Sequence, residues 1–191
     1  MKLEGKKAIV TGGSRGIGRA IALMYAKEGA DVLVNYHSND AAAKDTVAEI
    51  EKLGRKGIAV AADVADYTSA QNMVEECVKQ LGGVDIVVNN AGVSKPSMLL
   101  KMKEEDWDAI INIHLKAAFN TTQAAGRHMK EQKSGKIINV ISTAGIFGTV
   151  GQINYASAKA GIIGFTKSAS RELGRYGVNV NVICPGITKT E

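Results

Sequence analysis

The 191-residue sequence predicts an α/β fold, a doubly wound parallel sheet of the Rossmann kind, in one domain spanning residues 1–191. Three observations predict it. Short β-branched runs alternate with longer segments of helical periodicity, as in a parallel sheet built from strand–helix–strand units. The runs are almost continuously apolar, which suits strands covered by helices on both faces. Glycines stand at the joins, where a helix has to stop and the chain turn back.

The first strand reads as Ala8-Ile9-Val10-Thr11. A helix follows from Ile17 to Lys27, with Ile17, Ala20, Ile21 and Met24 on one face, and Gly29 ends it. Asp31 to Asn35 is a second strand, and a helix from about Ala41 to Leu53 closes at Gly54. The pattern recurs with strand Gly57–Ala61, helix Thr68–Leu81 and strand Val84–Asn89. A long helical stretch runs from about Glu104 to Lys130, before strand Lys136–Ile141. Tyr155 then opens a helix to Gly174, and Val178–Ile183 is the sixth strand. Right-handed crossovers arrange these strands as a doubly wound sheet, with its ligand site at the carboxyl ends of the strands.

Composition excludes other classes. With 45% hydrophobic and 23% charged residues the chain is ordinary globular protein, not disordered. No apolar stretch reaches the ~18 residues of a membrane span, and the start, Met1-Lys2-Leu3-Glu4-Gly5, lacks the apolar core of a secretory signal. Cys77 and Cys184 have no metal-ligand spacing; both read as core residues of a cytoplasmic protein. The net charge of +5 is dispersed, which weakens a nucleic-acid reading. One basic cluster, Arg127, His128, Lys130, Lys133 and Lys136, is either a solvated helix end or a dock for an acidic carrier or a phosphorylated substrate.

Chemistry enters at Thr11-Gly12-Gly13-Ser14-Arg15-Gly16-Ile17-Gly18, which joins the first strand to the first helix. Glycines permit positive φ and close backbone approach, and a helix N-terminus favours a pyrophosphate. The spacing differs from the G-x-G-x-x-G fingerprint, and Arg19-Ala20 after Gly18 excludes a Walker A loop. An acid at the end of the second strand would take the ribose hydroxyls of NAD. Here the stretch is Asn35-Tyr36-His37-Ser38, with no acid before Asp40, and Arg15 stands ready for a 2′-phosphate. The expected cofactor is therefore NADP(H), with Gly12, Ser14, Arg15, Gly16, Ile17, Gly18, Asn35, Tyr36 and His37 around it.

Of the five tyrosines only Tyr155 has a lysine four residues on, Lys159, which places the two on one helix face. A phenol ordinarily ionises near pH ~10. A neighbouring ammonium favours the phenolate, making the tyrosine a candidate general acid/base. Ser142, just past the fifth strand, reads as a hydroxyl donor orienting a carbonyl, with Thr143 as a competitor; no histidine or acid is placed to activate it as a nucleophile.

Taken in order, Thr11-Gly12-x-x-x-Gly16-x-Gly18, Asn89-Asn90-Ala91-Gly92, Ser142, Tyr155-x-x-x-Lys159 and Pro185-Gly186 resemble the short-chain dehydrogenase/reductase family, over the whole chain. The resemblance implies that Tyr155 transfers the proton, that Lys159 favours its ionised form and holds the nicotinamide ribose, and that Ser142 positions the substrate carbonyl. It further implies a proton relay through Asn112, adenine contacts from Asp63-Val64, and a path for Asn90, Ala91 and Gly92 near the adenosine ribose. Pro185, Gly186 and Thr188 are implied to flank the nicotinamide.

Within the family, Met98 to Trp107 and Gly151-Gln152-Ile153-Asn154-Tyr155 look most like the bacterial β-ketoacyl-acyl-carrier-protein reductases. That implies reduction of a 3-oxoacyl thioester on acyl carrier protein or CoA. Tyr176-Gly177 falls where Arg-Gly is common, with Arg175 one residue earlier, a departure that bears on carrier docking. Sugar, steroid and small-alcohol dehydrogenases share the same residues. Members usually continue beyond Pro185-Gly186 with a substrate loop, a helix and a seventh strand, so the chain reads as C-terminally shortened and an inactive cofactor-binding module is the competing reading. The resemblance also implies a homo-oligomer, a dimer or a tetramer, built on the helical stretches 104–130 and 155–174.

Overall fold

Six parallel strands form the centre of a computed structural model of the chain, which describes residues 1–190. They are β1 (Lys7–Val10), β2 (Asp31–Tyr36), β3 (Gly57–Ala61), β4 (Ile86–Asn89), β5 (Gly135–Val140) and β6 (Val178–Ile183). Their order, β3-β2-β1-β4-β5-β6, reverses direction between β1 and β4. That reversal opens a crevice at the carboxyl ends of the two strands, the place where folds of this kind bind ligands.

The alternation of side chains along a strand divides the core between the two faces of the sheet. Ile9, Leu33, Val87 and Ile137 point to one face, covered by α3 (Tyr67–Leu81) and α5 (Ala117–Gln132), where Met73, Val74 and Met129 complete the packing. Ala8, Val10, Val32, Val34 and Val88 point to the other, under α1 (Gly16–Lys27) and α2 (Asp40–Lys52). α7 (Ile153–Gly174) packs beside β6, with α4 (Glu104–Ile111) and the short α6 (Ala144–Phe147) against it.

Four sequence expectations need correction. The long helical stretch is not one helix: a π-helical turn, Asn112–Lys116, separates α4 from α5. The extra residue in each of its turns changes which side chains face inward. Tyr155 does not open α7 but sits in its first turn, because the helix begins at Ile153. β4 starts at Ile86, since the Asp85 carboxylate turns back to accept from the Lys7 backbone N–H at 2.9 Å. Cys184 is exposed and only Cys77 belongs to the core, where burial pushes its thiol up to about 12. Among the described residues no helix is long and apolar enough to cross a membrane.

Candidate active site

The turn after β1 is built from backbone. Thr11 Oγ1 accepts from the N–H groups of Asn90 and Ala91 at 2.9 and 3.0 Å, tying it to the end of β4. Gly13 N–H donates to Asn35 O at 2.9 Å, tying it to β2. Gly12 and Gly16 have φ of +62° and +53°, the left-handed region in which a side chain is strained. A Cβ on Gly18 would lie 2.2 Å from Gly12 O and 2.6 Å from Asn90 Nδ2, so α1 can approach the turn only with glycine there. α1 has no side-chain cap, which leaves its first-turn N–H groups for an anion.

Around this turn lies a recess of about 580 Å³, lined by Gly12, Ser14, Arg15, Gly16, Ile17 and Gly18 from the loop, and by Tyr36, His37, Asp63, Val64 and Ala91 from strand ends. Arg15 and His37 are exposed at it. The Tyr36 hydroxyl donates to Asp40 at 2.6 Å, and Asp40 pairs with Lys44 at 2.7 Å, which holds its carboxyl below the usual range. Asn35 and Asn90 line the recess too, but their side chains are spent on architecture. Asn35 accepts from Gly12 N–H and donates to Ala62 O at 3.1 Å. Asn90 Nδ2 donates to Thr11 O at 3.0 Å.

A second recess of about 490 Å³ shares Ile17, Asn90, Gly92 and Val93 with the first, so the two join. It holds Ser142, Tyr155, Lys159, Pro185 and Gly186. Thr143 is absent from its lining and stands exposed at the start of α6, whereas Ser142 lines it, as does the exposed Ser94. Lys159 is 4% exposed, donates to Val140 O at 2.7 Å and stands 5.5 Å from the centre of the Tyr155 ring. Burial lowers its pKa to about 8.

Tyr155 is aimed by a residue that sequence reasoning passed over. Asn154 is fully buried; its Oδ1 accepts from Tyr155 N–H at 2.8 Å, and its Nδ2 donates to Lys95 O and Asp106 O. Deeper in the sheet, Asn89 donates to Asn139 at 2.7 Å and Asn139 donates to Thr166 at 2.8 Å, fastening β4, β5 and α7 together beneath the site. The signal for Asn139 was an asparagine inside the apolar run Ile137–Ile141, where a buried amide has to be paired; Asn154, between Gln152 and Ser157, carried no such signal.

Two expected residues line neither recess. Asn112 is exposed on the π-helical turn and lines neither recess. His114, two residues on, is buried and faces Tyr155 instead. Thr188 lies in an adjoining groove against α1, with Met24 and Tyr25, which shares Gly16 and Ile17 with the first recess and Pro185 with the second; its hydroxyl donates to Gly186 O.

Comparison with known proteins gives a consistent result. Residues 6–191 match the family model for short chain dehydrogenase. The chain is 48% identical over 181 residues to the 3-oxoacyl-[acyl-carrier-protein] reductase of Staphylococcus aureus strain Mu50, covering 95% of this chain and 74% of that protein. A short chain dehydrogenase from Burkholderia cenocepacia J2315, solved in complex with NADP, superposes with a TM-score of 0.94 at 40% identity, over 100% of this chain and 78% of that one. An NAD⁺-bound xylitol dehydrogenase superposes with the same TM-score, 0.94, at 30% identity, over 97% of this chain and 72% of that one.

Proposed function

The chain belongs to the short-chain dehydrogenase family of oxidoreductases, and from that premise we propose that it reduces a 3-oxoacyl thioester to the 3-hydroxyacyl thioester with NADPH. The observation that carries this reading is the junction of the two recesses, with a backbone cradle in one and Tyr155, Lys159 and Ser142 together in the other.

A dinucleotide fits that junction. The close approach at Gly18 leaves room only for backbone beside a pyrophosphate, and Ile17, Gly92 and Val93 carry the groove from one recess to the other. Arg15 offers a planar guanidinium to a 2′-phosphate. Asp40, the first acid after β2 in the sequence, is committed to Tyr36 and Lys44, which supports NADPH over NADH. When bound, the cofactor supplies the hydride for the carbonyl carbon.

The rest of the chemistry falls to the chain's own side chains. Ser142 donates a hydrogen bond that orients the carbonyl oxygen. Tyr155 gives its phenolic proton to that oxygen as negative charge develops there. The Lys159 ammonium favours the phenolate left behind, and its bond to Val140 O keeps it under the ring. Pro185 and Gly186 bound the recess on the β6 side.

The relationship to the Staphylococcus aureus reductase supports the thioester substrate. Arg127, Lys130 and Arg175 support an acyl-carrier partner: their contacts are to neutral groups, Gln71, Gln123 and the Tyr176 ring, so their charge remains available to an acidic surface. His128, paired with Glu75, contributes less. The face between α5 and α7, with Phe119 exposed beside Phe165, supports a homo-oligomer. The xylitol dehydrogenase likeness favours a second reading, a dehydrogenase of another alcohol with the same proton donor.

The test is NADPH oxidation by this chain with acetoacetyl thioester added or withheld. Thioester-dependent oxidation is expected. Oxidation only with a sugar or a simple ketone moves the assignment to the second reading; NADPH binding without turnover on any ketone makes the chain a binding module.

A further inference from the structure

His114 is the one titratable group at the second recess that the proposed chemistry does not use. It projects from the π-helical turn, is 5% exposed, and its ring stands perpendicular to that of Tyr155, at 87°, with centres 5.1 Å apart. Nε2 lies 2.8 Å from Val93 O. A carbonyl can only accept, so Nε2 carries the proton and Nδ1 is the bare acceptor. Nδ1 is buried without a protein partner.

The surroundings are arranged for this ring. A Cβ on Gly92 would lie 2.1 Å from His114 Cε1, so glycine at 92 leaves the imidazole its place. A small internal cavity of about 10 Å³ is lined by both His114 and Lys159, with Thr11 and Asn89 on its other walls. Of the charged and titratable groups that face the imidazole, Lys159 and Tyr155 come from α7, and neither recess lining His114 nor the internal cavity contributes a carboxylate. Burial first, and then the Lys159 charge, hold the imidazole neutral with its pKa lowered to about 4.

An unpartnered buried acceptor lowers stability. A leucine at 114 fills similar space without that cost, so packing alone does not select histidine.

We propose that His114 is a positioning residue for Tyr155: tethered to Val93 through Nε2, its neutral ring forms the wall that holds the phenol over Lys159 and toward Ser142. This rests on the proton-donor role given to Tyr155 above. The π-helical turn is what delivers it, by turning residue 114 inward and leaving Asn112 in solvent.

Three proteins test it: the native chain, His114→Leu, which removes tether and ring, and His114→Phe, which keeps a ring without the tether. Each is measured for thermal unfolding, for kcat and KM with NADPH and acetoacetyl thioester, and for the Tyr155 ring resonances in protein carrying isotope-labelled tyrosine, assigned by their loss in Tyr155→Phe. In His114→Leu a fall in kcat of about tenfold or more is expected, as misplacement of a reacting group gives, with the KM for NADPH unchanged and the Tyr155 resonances shifted. His114→Phe is expected to recover part of both kcat and resonance position. Unmoved Tyr155 resonances in both variants overturn the proposal, as does a kcat equal to the native value in both. If His114→Leu does not fold, His114→Phe decides on the same two readouts. If the native chain turns over no ketone, the proposed function fails, while the resonances still report whether His114 positions Tyr155.

Discussion

The two recesses that meet at Ile17 and Gly92 are built by opposite means. The first is backbone: a turn held by Thr11, Asn35 and Asn90, with glycines where any side chain would collide. The second is side chain: a phenol, a buried ammonium, a hydroxyl and a neutral imidazole. The first grips a ligand by shape and dipole, and is vulnerable to added atoms. The second works through burial and charge, and is vulnerable to removed atoms and to pH. Under the proposed function one binds and the other reacts, and the difference in construction lets each be damaged separately.

The widest separation is expected from Tyr155→Phe. Turnover should fall about a thousandfold, within the range for loss of a general acid, while NADPH affinity measured by fluorescence titration stays within about twofold. A parallel loss of affinity would mean that the two recesses are not separable.

Acid comes next and should act on the second recess alone. His114 has a pKa lowered from 6.5 to about 4, so below pH 6.5 the unfolded chain takes up a proton that the folded chain refuses. The stability is complete above pH 6.5 and is lost as pH falls toward 4. The difference amounts to about 3 kcal/mol. Urea unfolding across this range should show a shallower loss in His114→Leu than in the native chain; identical slopes would remove His114 as the source.

Gly18→Ala attacks the first recess. With backbone oxygen 2.2 Å from the new Cβ, the turn has to move. A loss of about 2 kcal/mol in stability is expected, together with weaker NADPH binding, while the protein that does bind cofactor retains its pH profile. The smallest effect is Arg15→Ala, which should weaken NADPH about tenfold more than NADH, as loss of one charged hydrogen bond predicts. Equal weakening of both would place the 2′-phosphate elsewhere.

Legibility in the sequence follows the same division. The glycine turn could be read directly because its constraint is local: only certain residues permit those φ values and that closeness. The strands and most helices were legible for a related reason, since period and glycine stops are local properties. The Tyr155–Lys159 pair was legible because four residues along a helix fix a shared face. Asn112, implied only by the family resemblance, has no such local signal: the π-helical turn leaves it exposed and turns His114 inward. The placing of Thr188 beside Met24 and Tyr25 of α1 was not legible either, since those neighbours are remote in sequence.

By itself, then, the sequence determined the strand–helix alternation, the glycine-rich turn and the Tyr155–Lys159 pair, because each depends on residues close to one another along the chain. Tertiary structure alone decided that Asn35 and Asn90 brace the turn, that Asn154 anchors Tyr155, and that His114 rather than Asn112 stands beside the phenol. The physical reason is that burial and hydrogen-bond partnership are relations between segments as much as 80 residues apart, as in the Ala91–Thr11 bond, and no local pattern encodes which of two nearby side chains the packing turns inward.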